Sequence, residues 1–112
     1  MARANTRAYS AYTQQAIRLL GMQIRAHRLE RRMTTAELAE RAGISRDMLY
    51  RVEKGDPRVT LGVAFELAAI VGVPLFEAEP GALQARAVQM AEKLRLLPGA
   101  VRKRPAEPKD DF

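Results

Sequence analysis

The sequence contains no cysteine and a single histidine, and these shortages exclude much of the chemistry that small proteins perform. Without thiols there is no disulfide, no iron–sulfur cluster and almost no way to build a zinc site, so we expect neither a metal nor a cofactor. Long apolar runs are also lacking. The longest, Leu67 to Phe76, is interrupted by Gly72 and Pro74 and is about half of a membrane span.

The N-terminal residues offer no targeting signal. Residues 1–9 are small, polar and basic, without the apolar stretch that a secretory signal needs. We therefore expect a cytoplasmic protein that makes no membrane contact. No Ser–His–acid set, glycine-rich phosphate loop or pair of carboxylates in an evident pocket is present in the sequence, so an enzyme is not expected.

What the chain does have is positive charge, and all of the excess lies in one half. Residues 1–60 hold 12 Lys and Arg against 6 Asp and Glu, whereas residues 61–112 hold 7 against 7. A basic half attracts polyanions such as nucleic acid. An arginine-rich composition can equally reflect a GC-rich genome, so composition leaves both interpretations open.

The pattern along the 112 residues predicts one all-α domain with tails, since no segment alternates as a strand would. A compact core of about 60 to 70 residues is only marginally stable as a monomer, and dimerisation is a common way to stabilise it. We predict four parts: a flexible N-terminal arm over 1–9, a domain over 10–80, a C-terminal helix over 81–97 and a disordered tail over 98–112.

Capping residues and glycines mark the helix ends. A first helix is predicted from Ser10 to Arg32, and Gly21 leaves open that two helices meet there. Thr34-Thr35-Ala36-Glu37 has the form of a capping box, which starts a second helix that ends at Ala42 before Gly43. The remaining helices are predicted from Ser45 to Lys54, from Leu61 to Val71 after the cap Thr60, from Pro74 through Glu77 as a short turn, and from Ala82 to Leu97 after a boundary at Pro80-Gly81.

The last predicted helix carries a heptad-like seam two heptads long. Its apolar residues are spaced 4, 3, 4 and 3 apart, at Leu83, Ala87, Met90, Leu94 and Leu97. Such a seam can pack on its own domain or on a second subunit. We slightly favour packing on its own domain.

The second and third helices are joined by the tight turn Ala42-Gly43-Ile44-Ser45, which is typical of a helix-turn-helix. Ala39 suits the close crossing of the two helices, and Ile44, Leu49 and Val52 form the apolar side of the turn and third helix. The outward residues of the third helix are then Arg46, Asp47, Tyr50 and Arg51.

The stretch from Thr34 to Ser45, followed by Leu49 and Val52-Glu53-Lys54-Gly55, resembles the phage-repressor (XRE) type of helix-turn-helix over about residues 20 to 76. The resemblance implies a five-helix domain, here followed by the additional C-terminal helix and flexible tail. It implies binding to double-stranded operator DNA as a homodimer, with the third helix in the major groove. It also implies that Arg28 and Glu53 form a structural ion pair.

Site residues follow from matching positions. Arg46, Asp47 and Arg51 occupy the base-reading positions; arginine can bond guanine bidentately and aspartate can accept from cytosine N4. The remaining DNA-binding candidates are Thr35, Ser45, Tyr50, Arg58 and Thr60. Asp47 and Arg51 could instead simply pair with each other, four residues apart. His27 stands where the family usually has an aliphatic core residue, and we expect it to be a half-buried packing residue.

A narrower resemblance is to HipB-type antitoxins, which accompany HipA-like kinase toxins and repress their own operon. It rests on Gly55-Asp56-Pro57, on the stretch from Gly72 to Phe76, and on the extension from Leu97 to the terminal Phe112. It implies a HipA-like partner, with Phe112 as a partner-binding residue. The alternatives are a stand-alone XRE-type regulator, and a protein-binding module that has lost DNA; the outward Arg46 and Arg51 speak against the module.

Overall fold

The computed structural model describes residues 8–76 and 79–103, which fall into two compact units that divide after Phe76. The helices of the described residues are α1 (Ala11–Glu30), α2 (Thr35–Ala42), α3 (Arg46–Glu53), α4 (Leu61–Val71) and α5 (Pro80–Leu96). The first unit contains α1 to α4 and the second contains α5. The all-α helix-turn-helix fold predicted from the sequence is confirmed.

α1 is one continuous helix, and Gly21 does not divide it. The glycine is buried where α1 crosses α3. A Cβ placed on Gly21 would lie 2.4 Å from the carbonyl oxygen of Val52 and 2.8 Å from that of Glu53. Glycine at this position therefore lets the two helix backbones approach more closely than any side chain would permit.

The predicted starts of α2 and α3 are confirmed by their caps. The side chain of Thr34 accepts a hydrogen bond from the Glu37 backbone, and the Glu37 carboxylate accepts one in return from the Thr34 N–H. Gly43 ends α2 in the left-handed conformation, with φ of 71°. The Ser45 hydroxyl then accepts from the Met48 N–H and opens α3. The turn between the helices is thus fixed at both ends by local hydrogen bonds.

Every helix of the first unit contributes to the centre of its core. The largest fully buried side chains are Ile24 of α1, Leu38 of α2, Leu49 of α3, and Leu67 and Val71 of α4. The rest of the core consists of Ala39, Val52, Ala64, Ala68 and Val73. Burial of Leu49 and Val52 decides which side of α3 faces inward, and it leaves the opposite side of the helix to solvent.

The short helical turn that the sequence predicts from Pro74 is absent over residues 74–76, and Glu77 lies outside the described residues. Phe76 has φ of 68°, in the left-handed region, which no right-handed helix can continue through. Its ring instead makes an edge-to-face contact with Phe65 of α4, with centroids 6.3 Å apart. The described part of the first unit therefore has four helices rather than the five of the implied domain.

α5 begins at Pro80, not at Ala82 as the sequence predicts. Proline has no N–H to leave unbonded and its φ suits the first helical position, so Pro80-Gly81 opens the helix rather than separating it from the preceding segment. The seam residues Leu83, Ala87, Met90, Leu94 and Leu97 are all exposed. No helix among the described residues is long and apolar enough to cross a membrane.

Candidate nucleic-acid interface

The solvent side of α3 presents polar side chains that are three or four residues apart and so share one face. Arg46, Asp47 and Tyr50 are exposed, and the Arg51 side chain is 34 % exposed. Within residues 8–76, the side chains of Arg46 and Asp47 make no hydrogen bond or ion pair. Their donor and acceptor groups are therefore free to meet the edges of bases.

Arg51 pairs with Asp56 rather than with Asp47, the partner that the i, i+4 spacing suggested. Its Nε donates to Oδ2 of Asp56 at 3.0 Å. The two Nη groups of Arg51 make no hydrogen bond to the described part of the chain. The two Nη groups thus remain available as a bidentate donor for guanine, while the carboxylate of Asp56 holds the guanidinium through Nε.

Asp56 is the residue of this surface that sequence reasoning missed. It sits in the loop after α3 with its side chain 12 % exposed, and it binds Arg58 through the backbone N–H at 2.9 Å and through Nε and Nη2, both at 3.1 Å. The hydrogen bonds from the Arg58 side chain, those from its backbone and from Arg51 hold the pKa of Asp56 well below the ordinary value, against the opposing effect of burial. The sequence does offer a signal for this role, because Asp56 lies between two arginines, Arg51 and Arg58, with which an aspartate can pair.

The predicted phosphate-binding residues surround α3, but they differ in how many of their hydrogen-bonding groups remain available. Thr35 is the first residue of α2, where backbone N–H groups lack intrahelical acceptors. The Ser45 and Thr60 hydroxyl oxygens accept the capping hydrogen bonds of α3 and α4, and each hydroxyl keeps its own hydrogen for donation. Arg58 is engaged with Asp56, which leaves only part of its guanidinium for another acceptor.

Beneath this surface Arg28 and Glu53 form a buried ion pair that ties α1 to α3. Arg28 donates from Nε to Oε2 at 2.8 Å and from Nη2 to Oε1 at 3.1 Å, and both side chains are 7 % exposed. Its Nη1 donates to the carbonyl of Met33, in the turn before α2. One guanidinium therefore fixes the relative positions of the two helices and of the turn that leads into α2.

His27 is half buried, as expected, and faces the end of α4. Its Nδ1 is 3.0 Å from the carbonyl oxygen of Val71. A carbonyl can only accept, so Nδ1 carries the hydrogen and His27 anchors the C-terminal end of α4 to α1. This contact accounts for a polar residue at a position that we expected to pack against the core.

Two short helices joined by a tight turn, with the second exposing a polar face, define a helix-turn-helix DNA-binding domain. The chain belongs to the family described as helix-turn-helix domain, whose model matches residues 19–80, more than half of its length. No curated protein and no solved structure matches it. The protein is accordingly a DNA-binding regulator of the helix-turn-helix class.

Proposed function

We propose that the protein is a sequence-specific transcriptional repressor that inserts α3 into the major groove of operator DNA. The observation that carries the proposal is the outward face of α3, where the side chains of Arg46 and Asp47 have no partner among the described residues and the Nη groups of Arg51 make no hydrogen bond to them. A face that served only solubility would not need an arginine fixed by a loop carboxylate.

Each position has a role in this proposal. Arg46 and Arg51 read guanine, and Asp47 accepts from cytosine N4. The residues that touch the sugar–phosphate backbone are Thr35, Ser45, Tyr50, Arg58 and Thr60. Backbone contacts fix the orientation of the domain on the duplex, and base contacts then supply the discrimination between sequences.

The proposed DNA-bound form is a two-fold dimer, because one α3 reads too few base pairs for a specific operator. The seam of α5 supports it: Leu94 is 63 % exposed and Met90 48 %, along a helix with heptad spacing. A second copy of this seam would cover the same apolar residues on both chains. Binding of repressor dimers over a promoter then excludes the polymerase.

Selection of binding sites from a random duplex library tests the proposal. We expect enrichment of an inverted repeat whose half-sites are about one helical turn apart, bound by two protomers as measured by light scattering. Arg46→Ala should lose the enrichment, while Arg41→Ala, a surface arginine of α2, should retain it. A library that emerges without any preferred sequence would contradict sequence-specific binding.

A second proposal concerns the partner: we infer that this regulator is a HipB-type antitoxin that binds a HipA-like kinase. The proposal is supported by the resemblance of Gly55-Asp56-Pro57 and of the stretch from Gly72 to Phe76 to HipB-type antitoxins. Phe112, the predicted partner anchor, lies outside the described residues. An aromatic side chain of this kind would anchor a partner by filling an apolar pocket.

Truncation after Leu97 tests the partner proposal. Operator binding should remain nearly unchanged, whereas capture of the product of the adjacent gene and rescue from its toxicity should weaken. Phe112→Ala in the full chain should reproduce part of that loss. If the full-length protein does not bind the neighbouring gene product, the stand-alone XRE-type regulator is the correct alternative, and the repressor proposal is unaffected.

A further inference from the structure

A groove of about 520 Å³ runs beside α3 on the side that faces α1. α1 contributes Arg18, Met22, Arg25 and Arg28, and the other lining residues are Thr35, Tyr50, Glu53 and Lys54. Two of these, Thr35 and Tyr50, belong to the proposed DNA surface. The groove is therefore continuous with the face that the duplex would approach.

The charge of the groove is strongly positive. Arg28 and Glu53 neutralise each other at its base, which leaves three cations, Arg18, Arg25 and Lys54. Arg18 and Arg25 are exposed and have no ion pair within the described part of the first unit. Lys54 lies over the ring of Tyr50, with Nζ 5.5 Å from the ring centroid, so its charge stays near the end of α3.

The two arginines are held in fixed positions along α1. Arg18 and Arg25 are seven residues apart, which places them on one face of the helix with about 10 Å of rise between them. The stem of Arg18 packs against Gly55, the residue after α3, where an added Cβ would lie 2.7 Å from Arg18 Cγ. The α1 side of the groove is thus tied to the end of α3 by direct packing.

We propose that Arg18 and Arg25 neutralise two different phosphates of the duplex backbone next to the bases that α3 reads. Phosphates of one strand follow each other at about 3.4 Å of axial rise, so two arginines whose backbone positions are separated by about 10 Å along α1 can each reach a different phosphate. This inference rests on the proposed DNA binding and adds α1 to the surface that carries it.

The test is the salt dependence of binding for the double variant Arg18→Gln/Arg25→Gln, with Arg32→Gln/Arg41→Gln as the matched control. The control removes the same charge from a different part of the surface, where Glu37 and Glu40 lie beside the two arginines. Affinity for a selected duplex and for a random duplex is measured by fluorescence anisotropy between 50 and 200 mM salt. Circular-dichroism melts check that each variant folds.

We expect the slope of log K against log salt to become shallower by about 1.8 in the double variant and by less than about 0.5 in the control. The affinity ratio between selected and random duplexes should stay unchanged, because phosphates carry no sequence information. If the double variant does not fold, Arg25→Gln alone should change the slope by about 0.9, since Arg25 is exposed and, unlike Arg18, does not pack against Gly55.

Three results would overturn the inference. An unchanged slope, or an equal change in the control, would show that Arg18 and Arg25 do not touch the duplex. A changed ratio between the two duplexes would show that they contact bases instead. If the wild-type protein binds no duplex at all, both the proposed function and this inference are wrong. If the wild-type protein binds and the double variant shows the same salt dependence, only the inference is wrong.

Discussion

Arg51 on α3 and Asp56 in the following loop are joined by a 3.0 Å hydrogen bond between Nε and Oδ2. Asp56 simultaneously binds Arg58, so one carboxylate connects the residue that we propose to read a base, Arg51, to one that we propose to bind phosphate. The lowered pKa of Asp56 means that this connection keeps its charge at neutral pH. The direction of the Arg51 side chain is therefore set before any DNA is bound.

Asp56→Asn should reduce discrimination without weakening general DNA binding. The amide oxygen can still accept from the Arg58 N–H, but Arg51 loses its charged partner and with it a fixed direction. The change also makes the protein one charge more positive, so affinity for random duplex should be equal or higher. Kd values on selected and random duplexes measure both effects. Equal weakening on the two duplexes would mean that Asp56 supports the fold and not the recognition.

Gly21→Ala should destabilise the domain by about 2 to 3 kcal/mol, because its Cβ would meet the backbone of α3 and no side chain can move aside. Gly62→Ala is the matched control in α4, where an added Cβ meets nothing within 4 Å. It should raise stability by about 0.5 kcal/mol through helix propensity. Urea unfolding followed by circular dichroism compares the two. A Gly21→Ala protein as stable as wild type would rule out the close crossing of α1 and α3.

Much of the fold follows from signals that lie within a few residues of each other. Thr34, Gly43 and Ser45 were recognised as helix ends because caps act locally, and the structure confirms them. The sequence does not explain Gly21, because glycine is needed there only where the backbone of α3, about 30 residues further along the chain, packs closely against α1. Phe76 was wrongly placed in a helix because its left-handed backbone accompanies a contact with the distant Phe65.

The candidate site shows the same division between local and distant causes. Burial of Leu49 and Val52 on one side of α3 makes the outward residues readable from a helical pattern alone. The role of Asp56 depends on how the loop after α3 folds back, which no periodicity encodes. The groove beside Arg18 likewise exists only because α1 crosses α3 at Gly21.

Glu53→Ala should lower stability by about 3 to 5 kcal/mol, because Arg28 would be left as a buried charge without its carboxylate. Glu30→Ala, at an exposed position of α1, is the control and should change stability by no more than about 0.5 kcal/mol. Thermal melts by circular dichroism decide the matter. Overlapping melting curves for Glu53→Ala and wild type would mean that the pair is solvated in solution.

Arg46→Ala should cost about 1 to 3 kcal/mol of binding free energy on the selected duplex and clearly less on random duplex. The reason is that a lost base contact matters only where the cognate base is present. Titrations on both duplexes at one salt concentration measure the difference. Losses of equal size would assign Arg46 to the phosphate backbone and leave base reading to other residues of α3.

The most direct test of DNA binding itself is the affinity of the wild-type protein for a random duplex, measured from 50 to 200 mM salt. Several lysines and arginines that replace condensed counterions should make log K fall linearly with log salt, by about 0.9 for each phosphate contacted. With about five contacts, affinity should drop roughly 500-fold across this range. An affinity that stays flat between the two salt concentrations, or no binding at 50 mM, would contradict the assignment of the outward face of α3 to DNA.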